Sequence, residues 1–484
     1  MNRRDFLCAS TAAALTAGLP LRHARAEALP ALVAGPMETA LSPGDAEAVR
    51  VWGYNGSTPG PEIRVRAGER IRRRLVNRLP QPTAVHWHGI RIANAMDGAV
   101  GLTQAPVPTG DAFDYDFVAP DPGTYWYHAH NRSWEQVARG LSGPLIVEDV
   151  EPWEGLPGAA SRDITLVLDD WYLNVVGQID EPSFGNLHEW AHAGRVGNVA
   201  TVNGRVEPRI AVHPGERLRV RLINVANARM MQPQIGEGAA TLIALDGHPV
   251  APRDPGDLVL MPAQRADLVI DVPPDGDASV PLRLLLGGGD EMDIAHLVPD
   301  TSRSVRPTTG DVRPLPAWAS ARDRMPNLQM AQTVMLRMEG GAMGNLTSAT
   351  VGGQKLSFEE LVGAKKIWAF NGVAGEASVD GYASDPPLFS VPQGQTVQLT
   401  VANETGFAHG VHLHGHHFTL LTEPQGLSTG LGGDREGDVR DTLSSWPGES
   451  ADIAFVADNP GRWLLHCHML EHQAAGMLGW FEVT

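Results

Sequence analysis

Four separate places in the 484-residue sequence carry a pair of histidines separated by one residue. These pairs are His86/His88, His128/His130, His412/His414 and His466/His468. On a strand, side chains repeat every two residues, so both imidazoles of a pair lie on one face, about 6.5–7 Å apart along the backbone. Imidazoles with no carboxylate among them suit copper or zinc rather than magnesium or calcium. Because four pairs offer too many nitrogens for one ion, the sequence predicts a site with two or three metals.

A second group of metal-ligand types surrounds Cys467. One thiolate, two imidazoles and a weak axial thioether form the ligand set of blue copper. The sequence offers this set as His409, Cys467, His472 and Met477. Alone, Cys467 would be interpreted as a buried inert cysteine and Met477 as a core residue beside Leu478. Together the four residues indicate a copper site, because zinc does not require the methionine.

The strands that must position these residues belong to an internal repeat. A proline, a glycine and an asparagine keep the same spacing over residues 61–77, 208–224 and 387–403. An Asn-Gly dipeptide, typical of tight turns, precedes each copy, at Asn55-Gly56, Asn203-Gly204 and Asn371-Gly372. In each copy, apolar and polar residues alternate on both sides of the glycine, which predicts a tight β-hairpin.

A second recurring block closes the first and third copies, where residues 117–130 align with 455–468 without a gap. Ala129 stands where the third copy has Cys467, and the middle copy carries no histidine at the equivalent positions. Three antiparallel Greek-key β-sandwiches account for the length, the spacing and the 53 glycines. We therefore predict an all-β protein with domains at residues 27–150, 151–312 and 313–484.

The first 26 residues resemble a twin-arginine export signal. Arg3-Arg4 precedes an alanine-rich apolar stretch, and Ala24-Arg25-Ala26 offers a small-residue cleavage site. The stretch is too short and too weakly apolar for a membrane anchor. We expect the twin-arginine machinery to export the protein to the periplasm, with no stable membrane insertion after cleavage. Cleavage would remove Cys8 and leave Cys467 without a partner for an internal disulfide.

The net charge of −18 argues against a nucleic-acid partner. Such a charge repels the phosphate backbone, and the region after the signal contains no run of Lys or Arg that could follow one.

The four histidine motifs resemble the copper motifs of the three-domain multicopper oxidases, the group of the laccases. They read His86-Trp-His-Gly, Tyr127-His-Ala-His, His409-x-x-His-x-His-Gly and His466-Cys-His-x-x-x-His-x-x-x-x-Met. The resemblance extends from the first repeat to the last strand. It implies cupredoxin-like domains, four copper ions, and a one-electron oxidation coupled to the reduction of O2 to water. The implied donors are phenols, aromatic amines or metal ions.

The resemblance also assigns the ligands. Type-1 copper falls to His409, Cys467, His472 and Met477, and type-2 copper to His86 and His412. The type-3 pair falls to His88, His128, His130, His414, His466 and His468. The first and third domains contribute four histidines each, so the cluster should lie at their interface. Electrons would then cross only a few bonds from Cys467 to its neighbours His466 and His468, which makes these three residues candidate catalytic residues.

Four acidic or amide positions bear on protons and donors. Asp97 resembles the family's carboxylate beside type-2 copper, although an ordinary Asp-Gly turn is the alternative. Gln473 stands where bacterial relatives often have a glutamate that serves the proton path, and an amide cannot donate or accept a catalytic proton in that way. Glu471 would point to the other face if this stretch is extended. Asp441 matches a family position near the type-1 edge, where it could help bind a donor.

Two further groups of residues have simpler interpretations. The irregular spacing of Met325, Met330, Met335, Met338 and Met343 favours strand and linker methionines over a Cu(I)-collecting cluster. Beyond the predicted signal, seven histidines match no ligand position and are interpreted as surface or supporting residues, namely His188, His192, His213, His248, His296, His416 and His417.

Two alternatives to a laccase-like oxidase remain open from the sequence. One is a cuprous or ferrous oxidase for metal tolerance. The other is a copper-free exported structural or division factor of the same fold, which would be expected to lack the ligands.

Overall fold

A computed structural model describes most of the chain. The described residues are 29–41, 48–150, 153, 161–236, 240–256, 258–274, 279–286, 289–302, 305, 307, 310–318, 324–376, 385–423 and 434–484. The predicted export signal at residues 1–26 lies outside them. Over the described part of the chain, no helix has the length and apolar character needed to cross a membrane.

Two four-stranded sheets form the first sandwich, with strand orders β2-β1-β4-β6 and β3-β8-β7-β5. The strands are β1 (Ala31–Thr39), β2 (Val49–Tyr54), β3 (Ile63–Arg66), β4 (Arg70–Asn77), β5 (Val85–His88), β6 (Ala112–Val118), β7 (Gly123–Ala129) and β8 (Ser142–Glu148). The short helix α1 (Ser133–Gln136) lies between β7 and β8. Leu75, Trp87 and Tyr127 are buried between the sheets.

The second sandwich pairs a six-stranded sheet, β10-β9-β12-β16-β14-β15, with a four-stranded sheet, β11-β18-β17-β13. Its strands are β9 (Ser161–Trp171), β10 (Val199–Val202), β11 (Arg209–Val212), β12 (Arg217–Asn224), β13 (Pro233–Ile235), β14 (Ala240–Leu245), β15 (His248–Arg253), β16 (Arg265–Asp271), β17 (Val280–Leu285) and β18 (Glu291–Pro299). Helix α2 (Leu187–Ala191) begins at Asn186, whose side chain accepts a hydrogen bond from the backbone of His188.

The third sandwich pairs a six-stranded sheet, β22-β19-β24-β29-β26-β27, with a five-stranded sheet, β23-β31-β30-β25-β28. A small two-stranded sheet, β20-β21, accompanies them. The strands are β19 (Gln332–Gly340), β20 (Ser348–Val351), β21 (Gln354–Ser357), β22 (Trp368–Phe370), β23 (Ser390–Val391), β24 (Thr396–Asn403), β25 (His409–Leu413), β26 (Phe418–Leu420), β27 (Val439–Arg440), β28 (Thr442–Ser445), β29 (Ser450–Val456), β30 (Gly461–Cys467) and β31 (Leu478–Val483). The helices are α3 (Phe358–Gly363) and α4 (Leu470–Ala474).

The predicted all-β fold of three sandwiches is confirmed, and each sandwich has its own apolar core. The domain limits at residues 150 and 312 stay predictions.

The tight β-hairpin predicted for each repeat is wrong. The two strands of a repeat belong to opposite sheets: β3 and β4, β11 and β12, and β23 and β24. β4 instead pairs in parallel with β1, and β3 in parallel with β8. Alternation of apolar residues is the same in a hairpin and in a chain that crosses between sheets, so the local pattern could not distinguish them. The sheets are consequently mixed rather than purely antiparallel.

The asparagine that ends each repeat has the same role in all three sandwiches. Asn77, Asn224 and Asn403 are buried, and each accepts a hydrogen bond from the backbone N–H two residues later. Each side-chain amide also donates to two backbone carbonyls, one in the loop that follows and one in a segment 30 to 42 residues further along the chain. These bonds fix the loop between the repeat and the next strand. In the first and third sandwiches, that next strand carries ligand-type histidines.

Candidate metal centres

Two pairs of neighbouring strands carry the four His-x-His pairs. β5 pairs with β7 in the first sandwich, which sets His86 opposite His128. β25 pairs with β30 in the third sandwich, which sets His412 opposite His466. The two sets meet at the junction of these sandwiches, where the rings of His86 and His414 stack with centroids 3.9 Å apart. The junction is where the sequence predicted the cluster.

All eight histidines are buried, and their ring nitrogens form three groups within 4.8 Å. The groups are His86, His88 and His412; His88, His128 and His468; and His130, His414 and His466. Five ring nitrogens in this region have no hydrogen-bond partner among the described residues, namely Nε2 of His86, His130 and His412, and Nδ1 of His88 and His468. Buried polar atoms are normally satisfied, so this concentration indicates atoms that serve another ligand.

The contact between His414 and His466 has the electrostatics of a cation site. Burial lowers the pKa of both imidazoles well below the usual value, so both are neutral. His414 donates through Nδ1–H to the Asp97 carboxylate at 2.9 Å, and His466 donates through Nδ1–H to the Cys467 carbonyl at 2.9 Å. Each Nε2 therefore carries a lone pair, and the two Nε2 atoms face each other at 3.1 Å. A metal cation between them would relieve this repulsion.

The second group, at Cys467, is built in the same way. His409 and His472 present Nδ1 to the sulfur at 3.4 and 3.8 Å, and the two Nδ1 atoms lie 3.1 Å apart. The opposite nitrogens are occupied, because His409 Nε2 lies 2.9 Å from the Thr405 hydroxyl and His472 Nε2–H donates to the His192 carbonyl at 2.6 Å. Both rings therefore aim a lone pair at the sulfur.

Cys467 itself is fully buried, and burial raises the pKa of its thiol to about 12. The thiolate would thus exist here only with a cation beside it. Met477 is also fully buried, and its carbonyl accepts a hydrogen bond from the Cys467 backbone at 3.0 Å. The ring of Trp368 lies 4.4 Å from that of His472 and holds its orientation.

Asp97 lies beside His86 and His414, and the sequence predicted a carboxylate near the type-2 position here. It follows a 3-10 helix, Asn94–Met96, and is 2% exposed. Its carbonyl accepts from His86 Nδ1–H at 2.7 Å and its carboxylate accepts from His414. One residue therefore orients two imidazoles of the candidate cluster. Its catalytic role stays a prediction.

Asp441 does not lie at an accessible donor edge, and that prediction is wrong. Its side chain is fully buried and pairs with Arg265 of the second sandwich at 2.6 Å. Burial alone would raise the pKa of this carboxyl, but Arg265 and the adjacent imidazoles hold it well below the usual range. Its carboxylate accepts from His88 Nε2–H at 3.1 Å, and its carbonyl accepts from His412 Nδ1–H at 2.9 Å.

Arg265 is a supporting residue that sequence reasoning missed. It also donates to the Thr124 carbonyl of the first sandwich at 3.0 Å, so it joins all three sandwiches beneath the histidine cluster. The middle domain, which offers no ligands, thereby positions those of its neighbours. No sequence feature distinguished Arg265 from the other arginines on alternating strands. Thr405 and the carbonyl of His192 were missed for the same reason, since their role depends on where His409 and His472 point.

The stretch after the last His-x-His pair is helical rather than extended, so the assumption made for Glu471 does not hold. α4 turns Glu471 toward the second sandwich, where Asn227 donates to its carboxylate at 2.8 Å. Burial raises the pKa of Glu471 to about 7. Gln473 is buried and accepts a hydrogen bond from the Ser133 hydroxyl at 3.0 Å.

The methionine segment lies partly on β19, which contains Met335 and Met338. Met338 is buried, whereas the other four are exposed, namely Met325, Met330, Met335 and Met343. Of the seven histidines without a ligand position, His248 and His416 are buried, and His192 supports His472 through its carbonyl.

Three cupredoxin-like sandwiches with a thiolate-imidazole group in the third and a histidine cluster shared with the first define a blue-copper oxidase architecture. Three family models described as multicopper oxidase match residues 37–152, 162–278 and 360–484. The chain is 30% identical over 459 residues to the multicopper oxidase MmcO of Mycobacterium tuberculosis, covering 88% of this chain and 81% of that protein. The chain belongs to the multicopper oxidase family.

Solved structures are similar over nearly the whole chain. The multi-copper oxidase from Pseudomonas thermotolerans is 32% identical with a TM-score of 0.79, and covers 94% of this chain and 98% of its own. Lac15 from a marine microbial metagenome is 36% identical with a TM-score of 0.71, and covers 94% and 100%. The family uses four copper ions, one type 1, one type 2 and two type 3, and oxygen as the electron acceptor. The facing lone pairs and the unpartnered ring nitrogens fit these ions.

Proposed function

We propose that this chain holds type-1 copper on His409, Cys467, His472 and Met477. Type-2 copper falls to His86 and His412. The type-3 pair falls to His88, His128, His130, His414, His466 and His468. The observation that carries the assignment is the orientation of the rings, since hydrogen bonds to the outer nitrogens turn the inner lone pairs toward shared points.

The chemistry that bound copper supplies is one-electron oxidation of a donor at the type-1 site and reduction of oxygen to water at the other three ions. The main chain of residues 466–468 joins the two centres, because Cys467 serves the first and its neighbours the second. Asp97 holds His86 and His414, and its carboxylate is the acidic side chain bonded to the candidate cluster from the first sandwich. Asp97 is our candidate for the residue that transfers protons at the histidine cluster.

Phenols and similar aromatic donors are the substrates that we propose. The edge of His472 is covered by the His192 carbonyl rather than open to solvent. The half-buried rings of His192 and Phe407 lie 5.9 Å apart over this region, and Phe407 also contacts Trp368, 5.8 Å away. A flat donor stacked on these rings would lie next to His192, whose carbonyl accepts a hydrogen bond from His472.

The twin-arginine-like signal supports export to the periplasm as a further part of this proposal.

A comparison of donors tests the substrate class. His192→Ala removes the ring but keeps the carbonyl that accepts from His472, so the blue absorption should persist. We expect kcat/KM for a methoxyphenol to fall about tenfold in His192→Ala and Phe407→Ala, by loss of ring contacts. His296→Ala, on β18 of the second sandwich, is the matched control and should behave as the wild type. If Cu(I) or Fe(II) outcompetes the phenol in mixed turnover, the substrate is instead a metal ion.

A further inference from the structure

A cavity of about 790 Å³ opens between the second sandwich, the third sandwich and the segment that joins them, and its lining includes none of His192, Phe407 and Trp368. Its wall includes His248 from the start of β15, His417 from just before β26, and Trp318 from the segment between the second and third sandwiches. Met325, Leu328 and other apolar side chains form most of the remaining lining, together with Thr419 and Arg324. The volume lies within the usual range for small-molecule sites.

The polar side chains of the lining include those of His248, His417, Thr419 and Arg324. Nε2 of His248 and Nδ1 of His417 are buried and have no hydrogen-bond partner among the residues that the structure describes. The two rings lie 4.4 Å apart, and His248 packs on Trp318 with centroids 3.9 Å apart. His248 is only 6% exposed. Buried polar atoms are normally hydrogen-bonded, so these two nitrogens are candidate contacts for a bound molecule.

The bonding of His417 defines what that molecule must offer. His417 Nε2–H donates to the Gly89 carbonyl at 2.6 Å. Burial lowers the pKa of His417 to about 4, so the ring is neutral near pH 7. Its Nδ1 therefore bears a lone pair and accepts a hydrogen bond.

The remaining lining residues favour a flat, uncharged molecule. The Arg324 guanidinium at the rim donates to Asp121 of the first sandwich at 2.7 Å, so its charge is compensated within the protein. An indole face and aliphatic walls match an aromatic ring.

We propose that this cavity is an accessory binding site for a neutral aromatic molecule that carries a hydroxyl donor, such as a phenol. The hydroxyl donates to His417 Nδ1, and the ring packs against Trp318 and the aliphatic wall. The site is separate from the His192–Phe407 edge and does not require copper reduction, so it goes beyond the proposed function.

Binding of an electron-poor phenol to the copper-loaded protein tests this proposal. 4-Hydroxybenzonitrile resists oxidation, and 4-methoxybenzonitrile is its matched partner without the donor. We expect calorimetric titration to find a phenol site that persists in His192→Ala, with the methyl ether binding about tenfold more weakly. His417→Phe should abolish the preference between the two probes. Trp318→Ala should weaken both.

Two further variants distinguish binding in the cavity from misfolding and from binding at the His192–Phe407 edge. Leu328 is 48% exposed, so Leu328→Trp should be tolerated and should weaken both probes by narrowing the cavity. His192→Ala should leave the affinity of the cavity for the phenol unchanged, whereas it lowers turnover if the substrate proposal is right. Phenol binding that is lost in His192→Ala but kept in His417→Phe would overturn the proposal. So would an absence of binding, or stoichiometric Ag(I) binding that depends on His248 and His417 while the phenol fails to bind.

Discussion

His466 and Cys467 are joined by one peptide bond in β30, yet their side chains belong to different metal-ligand groups. Nε2 of His466 faces His414 at 3.1 Å, whereas the sulfur of Cys467 faces His409 Nδ1 at 3.4 Å. Side chains of a strand alternate between faces, so adjacent positions serve opposite sides of one sheet. The shortest covalent route between the two centres is therefore a single stretch of backbone.

Cys467→Ser should remove the type-1 site and leave the histidine cluster. Without the thiolate, we expect loss of the blue absorption, loss of one of the four coppers, and oxygen uptake at background. Copper analysis and visible spectroscopy measure this. Met477→Leu is the matched control and should keep the blue absorption while raising the potential, since the axial ligand tunes it. A blue band in Cys467→Ser would contradict the ligand assignment.

Asp97→Asn should slow oxygen reduction while the protein keeps its copper. The amide preserves size and still offers an acceptor to His414, but it does not take up a proton. We expect kcat to fall about a hundredfold, in the range for loss of an acid-base group. Anaerobic reduction of the type-1 copper by the donor should be unaffected. Asp114→Asn, at an exposed ion pair with Arg74, is the control. Loss of copper in Asp97→Asn would show that the residue only positions ligands.

Arg265→Gln should destabilise the junction of the sandwiches strongly. The substitution leaves Asp441 buried without its cationic partner, a change that typically costs about 3–5 kcal/mol. Urea unfolding of the copper-loaded protein measures the shift. Arg74→Gln breaks an exposed ion pair and should change the midpoint little. Equal shifts in the two variants would show that the buried pair has no special structural role.

The buried imidazole of His417 should make the protein less stable in acid. Its pKa is near 6.5 when unfolded and about 4 when folded, because burial disfavours the charged form. Between these values the unfolded state binds more protons, so the free energy of unfolding falls as pH falls from 6.5 to 4. His417→Gln should lose this contribution, worth at most about 1.4 kcal/mol per pH unit. Urea midpoints at several pH values measure it; parallel wild-type and variant curves would contradict it.

The sequence was informative wherever function depends on local periodicity. The four His-x-His pairs could be predicted to share faces because a strand repeats every two residues, and the repeated Asn-Gly dipeptides mark turns with positive φ, as at Asn55 and Gly56. The repeat also predicted three sandwiches.

Long-range pairing was beyond the same reasoning. The strands on either side of Gly68 could have formed a hairpin, and only their distant partners β1 and β8 place them in opposite sheets. The position of Asp441 depends on Arg265, which lies 176 residues away and in another sandwich. The family resemblance placed Asp441 at the edge of the type-1 site. The motif around Asp441 carries no information on Arg265, the residue that pairs with it.

Oxygen stoichiometry tests the central claim most directly. The copper-loaded protein should consume one oxygen molecule for every four molecules of a one-electron phenolic donor oxidised, without release of hydrogen peroxide, because all four coppers take part in one reduction to water. Consumption of one oxygen for every two donor molecules, with peroxide released, would contradict the account, as would a fully loaded protein that takes up no oxygen.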